Sequence, residues 1–279
     1  MTTPPAPDSV RVWRGFRLIS DGEKPAEAET DYLELIGNAF VPSTVKMQTR
    51  IGLNAYIPAF QGFMPGKPAK VPDETAILFW ETPQTYWDGF GTLAVRTYTL
   101  THHGVYNFAP PGKSAATTPR ASTADFPNSS VFTGTLIPGT PVYLFNQATD
   151  WMKGRVNHFV AAQPEGMSTE DFSNCVSKAL TEIQTNPGNE LEGAIACIGD
   201  GYLVYWELLS WDISGSLGKG YGPEVGKQVL QPVLPAWNAS FRVTPTYIPV
   251  GLWERWEGMN VQPGNAFNMQ FQRRWENSE

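Results

Sequence analysis

The chain has 279 residues, of which 41% are hydrophobic, 13% aromatic and only 17% charged. Such a composition can bury a large aromatic core, and it excludes a disordered, collagen-like or coiled-coil protein. The formal net charge of −7 argues against a nucleic-acid-binding protein, and no apolar run approaches the roughly 20 residues that a membrane span needs.

The first half of the chain, residues 10–150, alternates between patterns typical of strands and of helices. The predicted elements are a strand at 10–19, a helix at 29–50, strands near 53–60 and 75–81, a helix near 85–103 and a strand near 141–145. Residues 107–139 are rich in Pro, Ser, Thr and Ala and are longer than an ordinary connection. We expect a surface arm there, with a lid over a site as the alternative.

The second half, residues 151–250, has the clearer pattern. A strand at 155–161 precedes a helix that begins after Ser168, and the apolar side chains of that helix recur at i, i+4, i+7, i+8 and i+11. A hairpin around Gly199-Asp-Gly201, a helix near 225–237 and a strand at 241–247 follow.

The two ends of the chain and its two cysteines give little information about function. Residues 1–9 are predicted to be a disordered lead, and residues 251–279 an aromatic tail that packs across one end of the fold. The start lacks a secretory signal, which favours a cytoplasmic location. Cys175 and Cys197 are too few for a disulfide framework or a thiolate metal site, and we expect both to be free.

Both halves read strand-helix-strand-strand-helix-strand, the order of a ferredoxin-like unit. The string Leu78-Phe-Trp-Glu81 in the first half matches Val204-Tyr-Trp-Glu207 in the second, which favours a tandem duplication. A single unit leaves one sheet face bare, and two sheets packed face to face bury both. The sequence therefore predicts an α+β fold of two tandem ferredoxin-like halves packed sheet to sheet.

This organisation resembles the dimeric α/β-barrel superfamily in its fused, two-repeat form. Members include cofactor-free monooxygenases, isomerases and cyclases, together with haem proteins such as chlorite dismutases and aldoxime dehydratases. The resemblance implies a pseudo-dimeric α/β barrel, but a fold does not choose among these chemistries.

Aromatic residues on the predicted strands are candidates for a binding cavity between the halves. Trp80 and Trp206 are expected on equivalent sheet faces, with Glu81 and Glu207 on the opposite ones, because successive strand side chains alternate. With Tyr56 and Tyr205 they would line a pocket for a small apolar or aromatic ligand. Plain core packing is the alternative for each of them.

Two residues are candidates for catalysis. His158 lies in a predicted strand and could act as a general base or proton shuttle, because imidazole titrates near neutral pH. A buried or surface imidazole without a catalytic role is the alternative. Arg17 is a candidate for polarising a carbonyl or enolate oxygen.

His102 and His103 lie where the second predicted helix of the first half ends. Adjacent helical residues diverge by about 100°, so the pair does not predict one shared metal site. A histidine there can stabilise the helix C-terminus. The resemblance to aldoxime dehydratases in general fold offers the alternative that one of them is an axial haem ligand. No spacing of histidines or acidic residues predicts a zinc or calcium site.

The sequence thus predicts an enzyme for a small hydrophobic or aromatic molecule, working by metal-free acid/base chemistry without a cofactor. It would be a cyclase, an isomerase, a lyase or a cofactor-independent monooxygenase. The alternatives are a haem-dependent enzyme and a non-catalytic binding or assembly protein. The expected partner is the small ligand rather than nucleic acid or membrane, and the expected state is a monomer or homodimer.

Overall fold

A computed structural model describes residues 9–18, 25–48, 51–62, 64–107, 122–123, 131–145, 149–151, 154–210, 225–243 and 246–247. Residues 1–8 of the predicted lead, the whole predicted tail at 251–279 and most of the predicted arm at 107–139 lie outside these ranges. None of the helices within them is long and apolar enough to cross a bilayer.

The first half forms strands and helices close to the predicted positions. They are β1 (Val10–Gly15), α1 (Pro25–Leu35), a π-helical turn (Ile36–Phe40), α2 (Val41–Gln48), β2 (Leu53–Phe60), β3 (Glu74–Trp80), α3 (Pro83–Gly89), α4 (Leu93–His102) and β4 (Ser122–Thr123). The π turn separates α1 from α2, whose second residue is Pro42, and proline has no N–H to donate to the carbonyl four residues earlier. Thr82 and Thr92 cap α3 and α4 by accepting from Thr85 N and Val95 N.

The first half ends with β5 (Val142–Phe145). The second half has β6 (Arg155–Ala162), α5 (Thr169–Thr185), β7 (Leu191–Ile198), β8 (Tyr202–Leu209), α6 (Val225–Leu230), β9 (Asn238–Val243) and β10 (Thr246–Tyr247). The predicted helix after Ser168 and the predicted hairpin are confirmed. Gly201 makes the hairpin turn at a φ of +82°, which side chains other than glycine rarely adopt.

The N-cap of α5 can be tested directly. Ser168 Oγ accepts a hydrogen bond of 3.0 Å from Asp171 N. We expect Ser168→Ala to lower the free energy of unfolding by about 1 kcal/mol, because the first turn of the helix loses an acceptor. Urea denaturation measures this loss. Ser173→Ala, inside the same helix, is the matched control and should cost nothing, so an equal loss in both variants would contradict the capping role.

The strands of the described residues form two five-stranded antiparallel sheets with the same internal order. The first sheet runs β10-β2-β3-β1-β4 and the second runs β5-β7-β8-β6-β9. Within each half the spatial order is second, third, first, fourth strand. The molecule is therefore a mixed α+β protein, as the sequence predicts.

The outer strands depart from the predicted division of the chain at residue 150. β5, expected to close the first half, pairs instead with β7 of the second sheet, where Val142 lies opposite Ala196. β10 pairs with β2 of the first sheet, where Thr246 lies opposite Tyr56. The fourth strand of the first half is β4, inside the predicted arm. Edge strands have free backbone groups and take whichever partner lies beside them, so local sequence does not fix their sheet.

The two sheets face each other, and helices cover their outer faces. Between the sheets lie apolar side chains from both halves, among them Ile57, Ile77 and Phe79 of the first and Ile195 and Trp206 of the second. On the outer faces, α1 and α2 with α4 pack on the first sheet. The long helix α5 packs on the second sheet. The result is a four-layer arrangement of helices, sheet, sheet and helices.

Candidate active site

A cavity of about 190 Å³ lies between the first sheet and its covering helices. Its floor consists of side chains on the outer face of the sheet, which are Arg11, Trp13, Tyr56, Leu78 and Trp80. Its roof comes from the helices and includes Phe40, Gln48, Tyr86, Tyr98 and His102. An apolar cavity of roughly 150 Å³ can bind benzene, so this one is of single-ring size.

Strand alternation and one irregularity bring the floor residues together. Trp80, Leu78, Ala76 and Glu74 are spaced by two along β3, so all four point to the outer face. In β2 the register shifts between Leu53 and Ala55, and this irregularity puts Tyr56 on the outer face beside Leu78.

Glu74, the first residue of β3, is fully buried beside the cavity floor. Its carboxylate accepts a 2.8 Å hydrogen bond from Trp13 Nε1 and further hydrogen bonds from the hydroxyls of Tyr56 and Tyr106. Trp13 and Tyr56 also line the cavity. Two side chains therefore connect the carboxylate to the space where a ligand would lie.

Burial raises the pKa of Glu74 to about 7, while the three hydrogen bonds act in the opposite direction and limit the rise. Near neutral pH both protonation states are therefore populated, which suits a general acid or base. Burial, followed by the Glu74 charge, raises the pKa values of Tyr56 and Tyr106 well above that of an ordinary tyrosine. Both hydroxyls thus remain protonated and can donate hydrogen bonds to the Glu74 carboxylate.

The floor is polar at a second place, around Arg11. This residue is 2% exposed, and its guanidinium carbon lies 3.9 Å from the centroid of the Tyr86 ring, a cation–π distance. In the described part of the chain, Trp80 Nε1 and Gln48 Oε1 are buried and make no hydrogen bond. Both belong to residues of the cavity wall.

His102 lies in the roof with its ring edge-to-face against Phe40 and Tyr98, at 4.7 Å between centroids in each case. Burial lowers the pKa of His102 to about 4, so the ring is neutral at physiological pH. His103, the C-cap residue that follows α4, is exposed and does not line the cavity. A haem macrocycle is much larger than a single ring, so the cavity does not fit the alternative of haem bound to His102 or His103.

The predicted site residues separate into two groups. Tyr56 and Trp80 line the cavity beneath the helices of the first half, not a space between the halves. His158 and Trp206 lie between the two sheets, with 4.1 Å between their ring centroids. The imidazole of His158 is fully buried and shares a 3.0 Å hydrogen bond with Thr75 Oγ1. Burial lowers the pKa of His158 to about 3. The predicted location of the cavity between the halves is therefore wrong for this cavity, because apolar side chains fill that space.

The expectation that Trp80 and Trp206 occupy equivalent faces is also wrong. Phe79 faces the other sheet and Trp80 faces the helices, whereas Trp206 faces the other sheet and Tyr205 faces the helices of its own half. The two matched strings are thus out of phase by one residue, which exchanges the faces of every side chain. Their glutamates differ too, because Glu81 is exposed.

Glu207, by contrast, is buried and accepts hydrogen bonds from Asn157 Nδ2 and from the backbone N–H of Gly226. Tyr205 packs in the core beneath α5 and α6, outside the cavity.

The guanidinium of Arg17 contacts protein groups outside the cavity. It lies 3.7 Å from Asp73 and 3.8 Å from Glu29, and it donates to Gly62 O. The side chain does not belong to the cavity wall. These carboxylates balance its charge, so the predicted role in polarising a ligand oxygen has no geometric support here.

Glu74 was not identified as a candidate residue from the sequence, although the pattern of β3 indicates that it is unusual. A carboxylate shares a strand face with Ala76, Leu78 and Trp80, and charged residues are rarely buried on such a face without partners. The partners Trp13 and Tyr106 are 61 and 32 residues distant in sequence, so only the fold brings them together. Within the described ranges, no three His, Cys, Asp or Glu side chains are grouped as metal ligands.

Comparison with known proteins gives weak similarities. No family model and no curated protein matches the chain. Among solved structures, a provisionally assigned monooxygenase of Lactobacillus acidophilus is 9% identical with a TM-score of 0.35, over 88% of this chain and 94% of that one. A provisionally assigned monooxygenase of Fusobacterium nucleatum is 9% identical with a TM-score of 0.36, over 87% and 93%.

An anthrone oxidase-like protein is 8% identical with a TM-score of 0.31, over 84% of this chain and 89% of that one. TM-scores below 0.5 do not establish a shared fold. We therefore infer neither the fold nor the function of this chain from these three proteins.

Proposed function

We propose that the protein is an enzyme that removes or returns a proton on a small, largely aromatic molecule bound in the cavity of the first half. The observation that carries this proposal is Glu74, a fully buried carboxylate with a pKa of about 7 and hydrogen bonds to two side chains of the cavity wall. Perturbed carboxylates beside an apolar pocket are typical of acid/base sites.

Tyr56 provides the path for the proton. The ligand would give its acidic C–H or O–H proton to the Tyr56 oxygen while the Tyr56 hydroxyl passes its own proton to the Glu74 carboxylate. The negative charge then resides on the ligand, and Glu74 is neutral. The reverse transfer would protonate the product. Cyclisation, isomerisation, elimination and cofactor-independent oxygenation can all begin with this proton removal, so the proposal includes the four predicted classes.

We also propose that the chain is a fused pair of ferredoxin-like units in a pseudo-dimeric α/β barrel. The shared strand order of the two sheets, their face-to-face packing and the exchange of β5 and β10 between halves support this arrangement. In this proposal the active cavity belongs to one unit and lies under its helices, while the space between the sheets is core.

Deuterium exchange tests the proton-removal step without knowledge of the product. Acetophenone, phenylacetone and phenylacetaldehyde each have a single ring and slowly exchanging hydrogens next to a carbonyl. We expect the protein to accelerate exchange of these hydrogens in D₂O, as followed by proton NMR. Glu74→Gln should reduce the catalysed rate by roughly 10²- to 10⁴-fold, because the amide cannot accept the proton.

Glu81→Gln is the matched control, since it makes the same change at an exposed position just beyond the end of β3. It should leave the rate unaltered. The catalysed rate of the wild type should rise with pH to a plateau, with a midpoint near 7, as Glu74 ionises. Exchange at the buffer rate for all three probes would overturn the proposal, and binding without exchange would favour a non-catalytic binding protein.

A further inference from the structure

We infer that the ligand of this cavity is a single-ring aromatic anion, with its carboxylate or phenolate-type oxygen held by Arg11 and Trp80. This inference names the substrate class of the site described above and so rests on the proposed function. It is carried by buried polar groups in the wall that the proton-transfer residues do not use.

Arg11 supplies the charge. The side chain is 2% exposed and lines the cavity on a floor otherwise made of aromatic and aliphatic groups. In such low-dielectric surroundings a guanidinium attracts a carboxylate far more strongly than it does in water. Its planar set of donors also matches the two oxygens of a carboxylate. Stacking against Tyr86 and Trp87, at 3.9 and 5.4 Å from the ring centroids, limits the orientations it can adopt.

Trp80 and Gln48 are the second, independent observation. Trp80 is 2% exposed and Gln48 is 8% exposed, yet Trp80 Nε1 and Gln48 Oε1 make no hydrogen bond among the described residues. A buried polar atom without a partner costs free energy, so such atoms in a cavity wall indicate where a ligand supplies the partner. The indole N–H can donate to a ligand oxygen. The glutamine oxygen accepts, so it would bind a hydrogen-bond donor of the ligand rather than its anionic oxygen.

The sheet register sets the distance from this anion site to the proton-transfer site. Arg11 and Tyr56 both lie opposite Leu78, on the two strands that flank β3. Neighbouring strands are about 4.8 Å apart, so the two Cα atoms are separated by about 10 Å across the sheet. With side chains reaching in from both sides, a single ring bearing one acidic oxygen fits between them. Its charged end would face Arg11, and its reacting position would face Tyr56.

The ring itself is accommodated by the rest of the wall. Trp13 and Leu78 form the floor between the two polar sites, and Phe40 and Tyr98 cover it from the helices. The volume of about 190 Å³ limits the ligand to one ring with a short substituent.

Isothermal titration calorimetry with benzoate and its neutral isostere benzamide tests the inference. We expect the wild type to bind benzoate roughly tenfold or more tightly than benzamide, because a hydrogen bond to a charged group is stronger than a neutral one. Arg11→Met should weaken benzoate binding by roughly tenfold to hundredfold and leave benzamide binding nearly unchanged. Arg96→Met, which removes an exposed arginine from α4, is the matched control and should leave both affinities unaltered.

Trp80→Phe keeps an aromatic ring but removes the indole N–H together with the five-membered ring, so it tests the donor even if Arg11→Met fails to fold, and benzamide binding measures the effect of the lost ring itself. Benzoate binding should weaken roughly threefold to tenfold in this variant. Three results would overturn the inference. The wild type could bind the two probes equally well, it could bind neither, or its preference for benzoate could survive both substitutions. In those cases the proposed proton transfer would remain supported if deuterium exchange depends on Glu74. A preference for benzoate without any catalysed exchange would support the anion site and contradict the proposed proton transfer.

Discussion

Glu74→Gln should gain stability over the wild type as the pH rises, by about 3 kcal/mol between pH 4 and pH 8. The pKa of Glu74 is raised from an ordinary 4.5 to about 7 in the folded protein. Between these values the folded state holds a proton that the unfolded state has lost, so wild-type stability falls as the pH rises. Above pH 7 the full cost of the buried carboxylate persists. Glutamine does not titrate, so the variant lacks this loss.

Chemical denaturation of both proteins at a series of pH values measures the difference. Glu81→Gln, which makes the same change at an exposed position, is the control. A constant difference for Glu74→Gln would mean that the carboxyl titrates alike in the folded and unfolded chains. The result would then contradict the high pKa on which the proposed chemistry depends.

His158→Gln should show the opposite dependence, because burial lowers the pKa of His158 from 6.5 to about 3. Between these values the unfolded chain takes up a proton that the folded chain excludes. Wild-type stability is therefore fully present above pH 6.5 and is lost as the pH falls towards 3. Relative to the variant, the wild type should lose about 3 kcal/mol between pH 7 and pH 4.

Acid unfolding followed by circular dichroism provides the measurement, and His103→Gln at the exposed end of α4 serves as the control. The same series separates a structural histidine from a catalytic one, because His158→Gln should leave deuterium exchange intact. Loss of exchange in this variant, with the fold retained, would restore His158 as a candidate base and contradict its placement in the core.

The two buried groups illustrate different uses of burial. His158 is held neutral between the sheets and contributes a hydrogen bond to Thr75 within a packed core. Glu74 is held near the point of ionisation beside a cavity, at a cost to stability above neutral pH. A cost of this kind is common at functional sites, where activity requires a group that a purely structural core would avoid.

Local patterns were sufficient for much of the secondary structure. The apolar stripe of α5, its cap at Ser168 and the hairpin of β7 and β8 depend on residues within a few positions of one another, and all three were predicted. Tyr56 and Trp80 were predicted to line a pocket between the halves, but they line a cavity under the helices of the first half. The identity of the catalytic candidate was not predicted, because only their neighbours in space distinguish His158 from Glu74.

By itself the sequence determined the element order and the α+β class, because these follow from periodicity and composition. Only the tertiary structure decided which face each tryptophan occupies, which sheet β5 and β10 join, and where the cavity lies. A shift of one residue in strand register exchanges the two faces, and an edge strand can pair wherever a partner is adjacent. Both outcomes are set by contacts between residues far apart in the chain, and local sequence does not encode them.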